Sequence, residues 1–156
     1  FVAKIILIMI DVDIKFIGKK EILTIVPLLK FLNSKTPDDL LNLRLSEMAE
    51  QNYHCAGMYH KDELIGICGI WLMTRHYIGK SAEVDHVVIH PDYRNMKLGK
   101  IFFGWIHERL IEMGCEAVEL NTYADNRKSH KFYYNEGYEI YGFHMLKILR
   151  EDAAFY

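Results

Sequence analysis

The apolar positions of this chain change period within one stretch, Ala82 to Met113, and the neighbouring elements are arranged around that change. From Ala82 to His90 the residues are rich in valine and isoleucine, and Pro91-Asp92 follows them. This predicts a strand and then a turn. From there Leu98, Ile101, Phe102, Trp105, Ile106, Leu110 and Met113 recur at steps of three and four. That spacing predicts a helix with one buried face, and Gly114 is placed to end it. Residues 116–123, rich in Val, Leu, Thr and Tyr, predict a second strand. Strand, helix and strand form a βαβ unit, which should be parallel and right-handed.

The remaining pattern fills in both sides. Ile14 to Ile17 predicts a short first strand; the apolar run Ile5 to Ile10 belongs to that strand or is an extension, and is too short to span a bilayer. Ile22, Ile25, Val26, Leu29 and Leu32 predict a helix over 21–32, which Pro27 kinks or divides. Thr36-Pro37-Asp38-Asp39 predicts the start of a second helix, with a capping Thr, Pro at the first helical position and acids in the first turn. Leu40, Leu43 and Met48 are its expected apolar side, and it should run to about Glu50. Residues 54–59 and 64–74 predict a hairpin turning at Lys61-Asp62-Glu63. Past the central unit, Asp125-Asn126 precedes a short helix over 127–136 that Gly137 ends. Residues 138–141 and 143–149, separated by Gly142, predict closing strands. The expected fold class is α+β: a mixed, mostly antiparallel sheet with one parallel βαβ unit, flanked by helices. No repeat or linker divides the chain, so residues 1–156 are expected to form a single domain.

Composition narrows the partners. The net charge is −2, with 51% hydrophobic and 26% charged residues. A nucleic-acid or membrane-surface partner would leave a basic excess, so neither is expected. Cys55, Cys68 and Cys115 show no CxxC spacing and read as small buried hydrophobes in a reducing cytoplasm. The eight histidines include no HExxH pattern, and His86 and His90 are too far apart along a strand to share an ion, so no metal is expected.

Chemistry concentrates in the turn Arg94-Asn95-Met96-Lys97-Leu98-Gly99-Lys100. A strand, a basic turn and a helix start form an anion site, because the first helical N–H groups are free and the dipole favours negative charge.

At these residues the chain resembles the GNAT superfamily of acetyl-CoA-dependent N-acetyltransferases. That family's signature is Gln or Arg, two residues, Gly, one residue, then Gly or Ala, after a strand ending in a hydrophobic-x-Pro run. Val87-Val88-Ile89-His90-Pro91 matches the strand, and Arg94 and Gly99 match the first and last signature positions. Lys97 stands where the family has its first glycine. Downstream, Asn126, Tyr133 and Gly137-Tyr138 match a second family motif. The likeness is close over the C-terminal half and rests only on element order before it.

The resemblance implies an enzyme that moves an acetyl group from acetyl-CoA directly to an amine of a small molecule or a protein, without an acyl-enzyme. It implies a pyrophosphate cradle on the backbone of Arg94, Asn95, Met96, Lys97, Leu98, Gly99 and Lys100. It implies a pantetheine-binding strand edge at Val87, Val88 and Ile89, with further cofactor contacts at Asn126 and Tyr133. Lys97 is strained if its position needs positive φ and costs little if it lies within the first helical turn; the second is the expectation. Tyr133 is the expected catalytic acid, a phenol able to protonate the departing thiolate. Glu83 is the candidate catalytic base, with Asp85, His86 or a water relay as alternatives. Alternation places Glu83 on one face with Asp85, Val87 and Ile89. Tyr53, Trp71, Arg75, His76 and Tyr77 are candidates for the acceptor site. The alternative to an enzyme is a catalytically weak acyl-CoA-binding regulatory module, and a homodimer is an open possibility.

Overall fold

The computed structural model describes residues 10–152. A five-stranded sheet runs in the order β1 (Asp13–Phe16), β2 (Tyr53–His60), β3 (Glu63–Arg75), β4 (Gly79–Ile89), β5 (Ala117–Leu120). Each neighbouring pair is antiparallel except β4 and β5, which are parallel. Helices α1 (Val26–Leu29) and α2 (Asp38–Ala49) contribute to one side, and α3 (Leu98–Glu112) and α4 (Arg127–Asn135) to the other. This is the mixed α+β architecture that the pattern predicts, with the parallel βαβ unit in place.

Two apolar layers hold the sheet between them. Ile22, Ile25, Leu28, Leu29, Leu41 and Leu45 pack on Tyr53, Cys55, Ile67 and Val88. On the opposite face Leu98, Phe102, Phe103, Ile106 and Leu110 cover Met58, Ile65, Cys68, Ile70, Ala82 and Val84. The buried side of α3 is therefore close to the expected one, with Phe103 buried and Ile101 at the exposed margin. Gly114, at φ +80°, lies just beyond the helix as its sequence position requires.

The hairpin turn at Lys61-Asp62 has positive φ at both residues, 47° and 66°, the geometry that suits a two-residue connection between twisted strands. The predicted first helix divides before Pro27: residues Lys19–Ile25 form a 3-10 turn and α1 starts at Val26. Proline has no N–H to donate, which is harmless only in a first helical turn.

Several expectations are corrected. Thr36 does not cap α2; its hydroxyl is buried without a partner, and Pro37 occupies the cap position. Beside it the Lys30 ammonium donates to the Thr36 carbonyl (2.8 Å) and to Asp38 Oδ1 (2.7 Å), tying the loop to the first turn of α2. Leu41, Leu45 and Ala49 are the buried positions of α2, while Leu43 faces solvent. A four-residue step brings those three positions under one narrow stripe against the sheet. β5 is shorter than predicted, and residues 138–149 form no strand: Tyr141 and Phe143 are each 95% exposed. A four-residue edge offers few backbone partners for another strand. Of the apolar run Ile5 to Ile10, only Ile10 lies within the described residues, where it packs on the α3 layer.

A further departure lies inside β4. Cys68 pairs with Val87 and Ile70 with Val84, so Asp85 and His86 stand opposite the single residue Gly69. This is a β-bulge, and it reverses which residues share a face. Ala82 and Val84 join the α3 layer, and past the bulge Val87 and Ile89 join it too. Glu83 therefore does not share a face with Val87 and Ile89 as simple alternation predicts.

Candidate active site

The turn between β4 and α3 is built to receive an anion. Asn95 and Lys97 both adopt left-handed backbone, at φ 64° and 61°, and Lys97 is the residue that caps α3. This corrects the expectation that Lys97 lies within the first helical turn: it occupies the strained alternative. The alternation of left-handed residues turns successive amides inward. Among the described residues, none of the N–H groups of Asn95, Met96, Lys97, Leu98 and Gly99 has a hydrogen-bond acceptor, whereas Arg94 N–H donates to Pro91 O and Lys100 N–H to Lys97 O. Five consecutive free donors at the positive end of a 15-residue helix form a concave anion site.

A cleft of about 520 Å³ opens at this turn, lined by Ile89, Arg94, Lys97, Gly99, Lys100 and Phe132 among others. Leu98 is buried in the α3 layer, so only its backbone serves the cleft. Asn95 and Met96 are exposed. Arg94 Nε donates to Ile89 O at 3.0 Å, tying the turn to the end of β4. Gly99 admits α4: an added Cβ would approach the Phe132 ring to 3.2 Å. Asn126 caps α4 by accepting from Ser129 N–H at 3.2 Å, which fixes the helix that carries Phe132 and Tyr133.

Beyond the bulge β4 has an open side. β5 pairs only with Ser81 to Val84, so from Asp85 to Ile89 the edge away from β3 has no strand partner among the described residues. Val87, Val88 and Ile89 all lie on this stretch. Tyr133 stands on the α3 side of it, among the rings of Phe103 (5.7 Å), Phe132 (5.4 Å) and Tyr138 (5.7 Å). Burial, with a smaller effect of Cys68, pushes its phenol up to about 12. It is therefore protonated at neutral pH. Tyr133 and Val87 both pack in the α3 layer.

Glu83 lies on the other face of the sheet, where β4 and β5 begin to part. Its Oε1 accepts from Asn121 Nδ2 at 2.8 Å and its Oε2 from Arg75 at 3.2 Å. Arg75 Nε also donates to Glu119 of β5. The structure thus gathers Arg75, Glu83, Glu119 and Asn121 at one point. Glu119 and Asn121 were not singled out from sequence; their only signal is polarity at the end of a strand.

The bulge residues form a second polar group. Tyr53 Oη and His86 Nε2 are 3.0 Å apart, His86 Nδ1 lies 3.6 Å from Asp85 Oδ2, and Trp71 Nε1 donates to that oxygen at 3.2 Å. Gly69 makes this possible, because any Cβ there would collide with the His86 ring. The His86 ring beside it is the main cause holding the Asp85 carboxyl below its usual range. Of the other acceptor-site candidates, His76 and Tyr77 lie in the exposed β3–β4 turn, ring against ring at 5.3 Å. Burial pushes the Cys55 thiol up to about 12 and that of Cys68 well above its ordinary value. Neither supplies a thiolate nucleophile. Among the described residues, no group of His, Cys, Asp and Glu is arranged to hold a metal ion, and no helix is long and apolar enough to cross a membrane.

The chain and its fold have counterparts among known proteins. Over 105 residues the chain is 27% identical to the aminoalkylphosphonate N-acetyltransferase of Salmonella typhimurium, spanning 67% of this chain and 68% of that one. The aminoglycoside N-acetyltransferase AAC(6')-Iy, solved in complex with CoA, superposes with a TM-score of 0.78 at 16% identity, covering 90% of this chain and 95% of that one. The ribosomal-protein-alanine N-acetyltransferase of Brucella melitensis biovar Abortus 2308 gives 0.76 at 18% identity, covering 90% and 100%. These two likenesses are of fold. The sequence model of the acetyltransferase (GNAT) family matches residues 25–138, and the chain belongs to that family.

Proposed function

We propose that this acetyltransferase binds acetyl-CoA along the open edge of β4, with its pyrophosphate on the amides of Asn95 to Gly99, and acetylates a primary amine directly. The observation that carries this reading is the run of five unpartnered N–H groups at the end of an unpaired strand edge. Arg94, Lys97 and Lys100 add positive charge at the cleft. The backbone of Val87, Val88 and Ile89 offers hydrogen bonds to an extended amide-bearing arm, as an edge strand does to a peptide. Bound acetyl-CoA would supply the activated acetyl thioester.

Tyr133 donates a proton to the sulfur as it leaves, and Glu83 takes one from the attacking amine. Glu83 is preferred over its neighbours for a geometric reason. Both ring nitrogens of His86 are engaged, and Asp85 is held as a carboxylate by His86 and Trp71. Each oxygen of Glu83 has one contact and keeps a further lone pair. The acceptor lies on the face carrying Glu83, Asp85 and Trp71, whose carboxylates favour a cationic amine. The three unpaired thiols suit the cytoplasm. The exposed apolar residues 140–149 suit a homodimer, checked by the mass of the chain in solution.

The test is thiol release from acetyl-CoA with a panel of aminoalkylphosphonates, aminoglycosides and peptides with N-terminal alanine. Turnover on at least one amine, lost by roughly 10²-fold in Glu83→Gln, is expected. Full activity of Glu83→Gln at every pH would remove that residue from the reaction.

A further inference from the structure

We propose that Arg75 is a positioning residue for Glu83: it spans β4 and β5 where they part and holds the Glu83 carboxylate in the orientation that meets the acceptor amine. This rests on the reading of Glu83 given above. The need for such a residue follows from the register. Glu83 of β4 is paired with Glu119 of β5 in a parallel ladder, so two carboxylates stand side by side. Like charges in that relation repel and would turn one side chain away. Arg75, at the end of β3, meets both: Nε on Glu119 and a terminal nitrogen on Glu83 at 3.2 Å.

The guanidinium is suited to this because its donors lie in one rigid plane, so one side chain addresses two strands at once. All three side chains are partly shielded, at 31%, 28% and 38% exposure for Arg75, Glu83 and Glu119. Ser81 Oγ, 3.5 Å from Glu119 Oε1, supports the outer carboxylate, and Asn121 supports the inner one. Glu83 is thereby held from two directions, by Arg75 on Oε2 and Asn121 on Oε1. Neither contact comes from the cofactor cradle. The strand from Glu83 to Ile89 is roughly 20 Å long at about 3.3 Å per residue, so Arg75 acts on the acceptor end of the site alone.

The test is a double-mutant cycle between Arg75→Gln and Glu83→Gln, read as kcat and as KM for acetyl-CoA and for the amine. Arg75→Gln is expected to lower kcat about tenfold or more, leave KM for acetyl-CoA unchanged, and add no further loss in the Glu83→Gln background. Arg75→Lys, which keeps the charge but loses the fork, should recover only part of the rate. Equal losses from Arg75→Gln with and without Glu83, or a raised KM for acetyl-CoA, would show a general structural role and overturn the proposal. If Glu83→Gln alone leaves turnover intact, the reading of Glu83 as proton acceptor fails first, and the cycle separates that failure from one at Arg75. Melting temperatures of the four proteins identify any variant that has lost its fold; Arg75→Lys then carries the comparison.

Discussion

At the scale of single residues, the site depends on side chains whose protonation and backbone conformation are set by their neighbours. Tyr133 is kept protonated by burial among Phe103, Phe132 and Tyr138. Tyr133→Phe keeps the rings and removes the donor, so cofactor affinity should persist while kcat falls roughly 10²-fold; steady-state kinetics beside a CoA titration checks this. The same burial has a consequence for stability. The Tyr133 phenol, ordinarily near 10, and the Cys55 thiol, ordinarily near 9, are both pushed up to about 12 in the fold. A group whose folded pKa is raised contributes stability in full below its unfolded value and loses it as pH rises through the folded one. On the alkaline side, unfolding midpoints should hold until about pH 9 and fall increasingly toward pH 12. Lys97 makes the opposite kind of contribution. Its left-handed backbone disfavours any residue with a Cβ, and Lys97→Gly should raise unfolding free energy by about 1 kcal/mol in urea titrations. Its identity was readable in the sequence as a departure from the family signature. Its conformation was not, because the sequence does not say on which side of the helix start the position falls.

At the scale of elements, the junctions matter more than the interiors. α3 was legible because seven apolar residues repeat at helical spacing, and a long, strongly periodic segment leaves little choice. β4 was legible as a strand but misleading as an alternation. Its bulge at Asp85-His86 inserts one residue and exchanges the faces on either side, so Val87 and Ile89, expected beside Glu83, point the other way. Two polar residues in mid-strand were the one visible sign. At the junction of α3 with α4, Gly99 meets the Phe132 ring, and an added methyl would sit at 3.2 Å. Gly99→Ala should displace the Phe132 ring, which lines the cleft. The expected result is a several-fold rise in KM for acetyl-CoA with little change in melting temperature, measured on the same preparation. The short strand at 117–120 shows the converse. Its composition predicted eight residues, yet only four pair, because β5 leaves β4 where the cleft opens.

At the scale of the whole molecule, the proposed site draws on both faces of the sheet. The α3 side carries the cradle and Tyr133, the α2 side carries Glu83, and the parting of β4 and β5 connects them. Ligand binding to such a cleft stabilises the fold through linkage. Acetyl-CoA at a hundred times its Kd should add about 2.7 kcal/mol, raising the melting temperature by roughly 5–10 °C for a domain of this size. No shift would mean that the amides of Asn95 to Gly99 do not hold the cofactor. What the sequence determined by itself was the local: the helical period of α3, the turn at Lys61-Asp62, the short helix after Asn126 and the basic turn whose motif names the family. These follow from forces acting over a few residues. Tertiary structure decided the rest. The bulge and the ion pairs from Arg75 to Glu83 and Glu119 join residues distant in sequence or depend on register. Burial and charge in those places depend on which strand lies beside which, and that is fixed only when the whole sheet closes over its two layers.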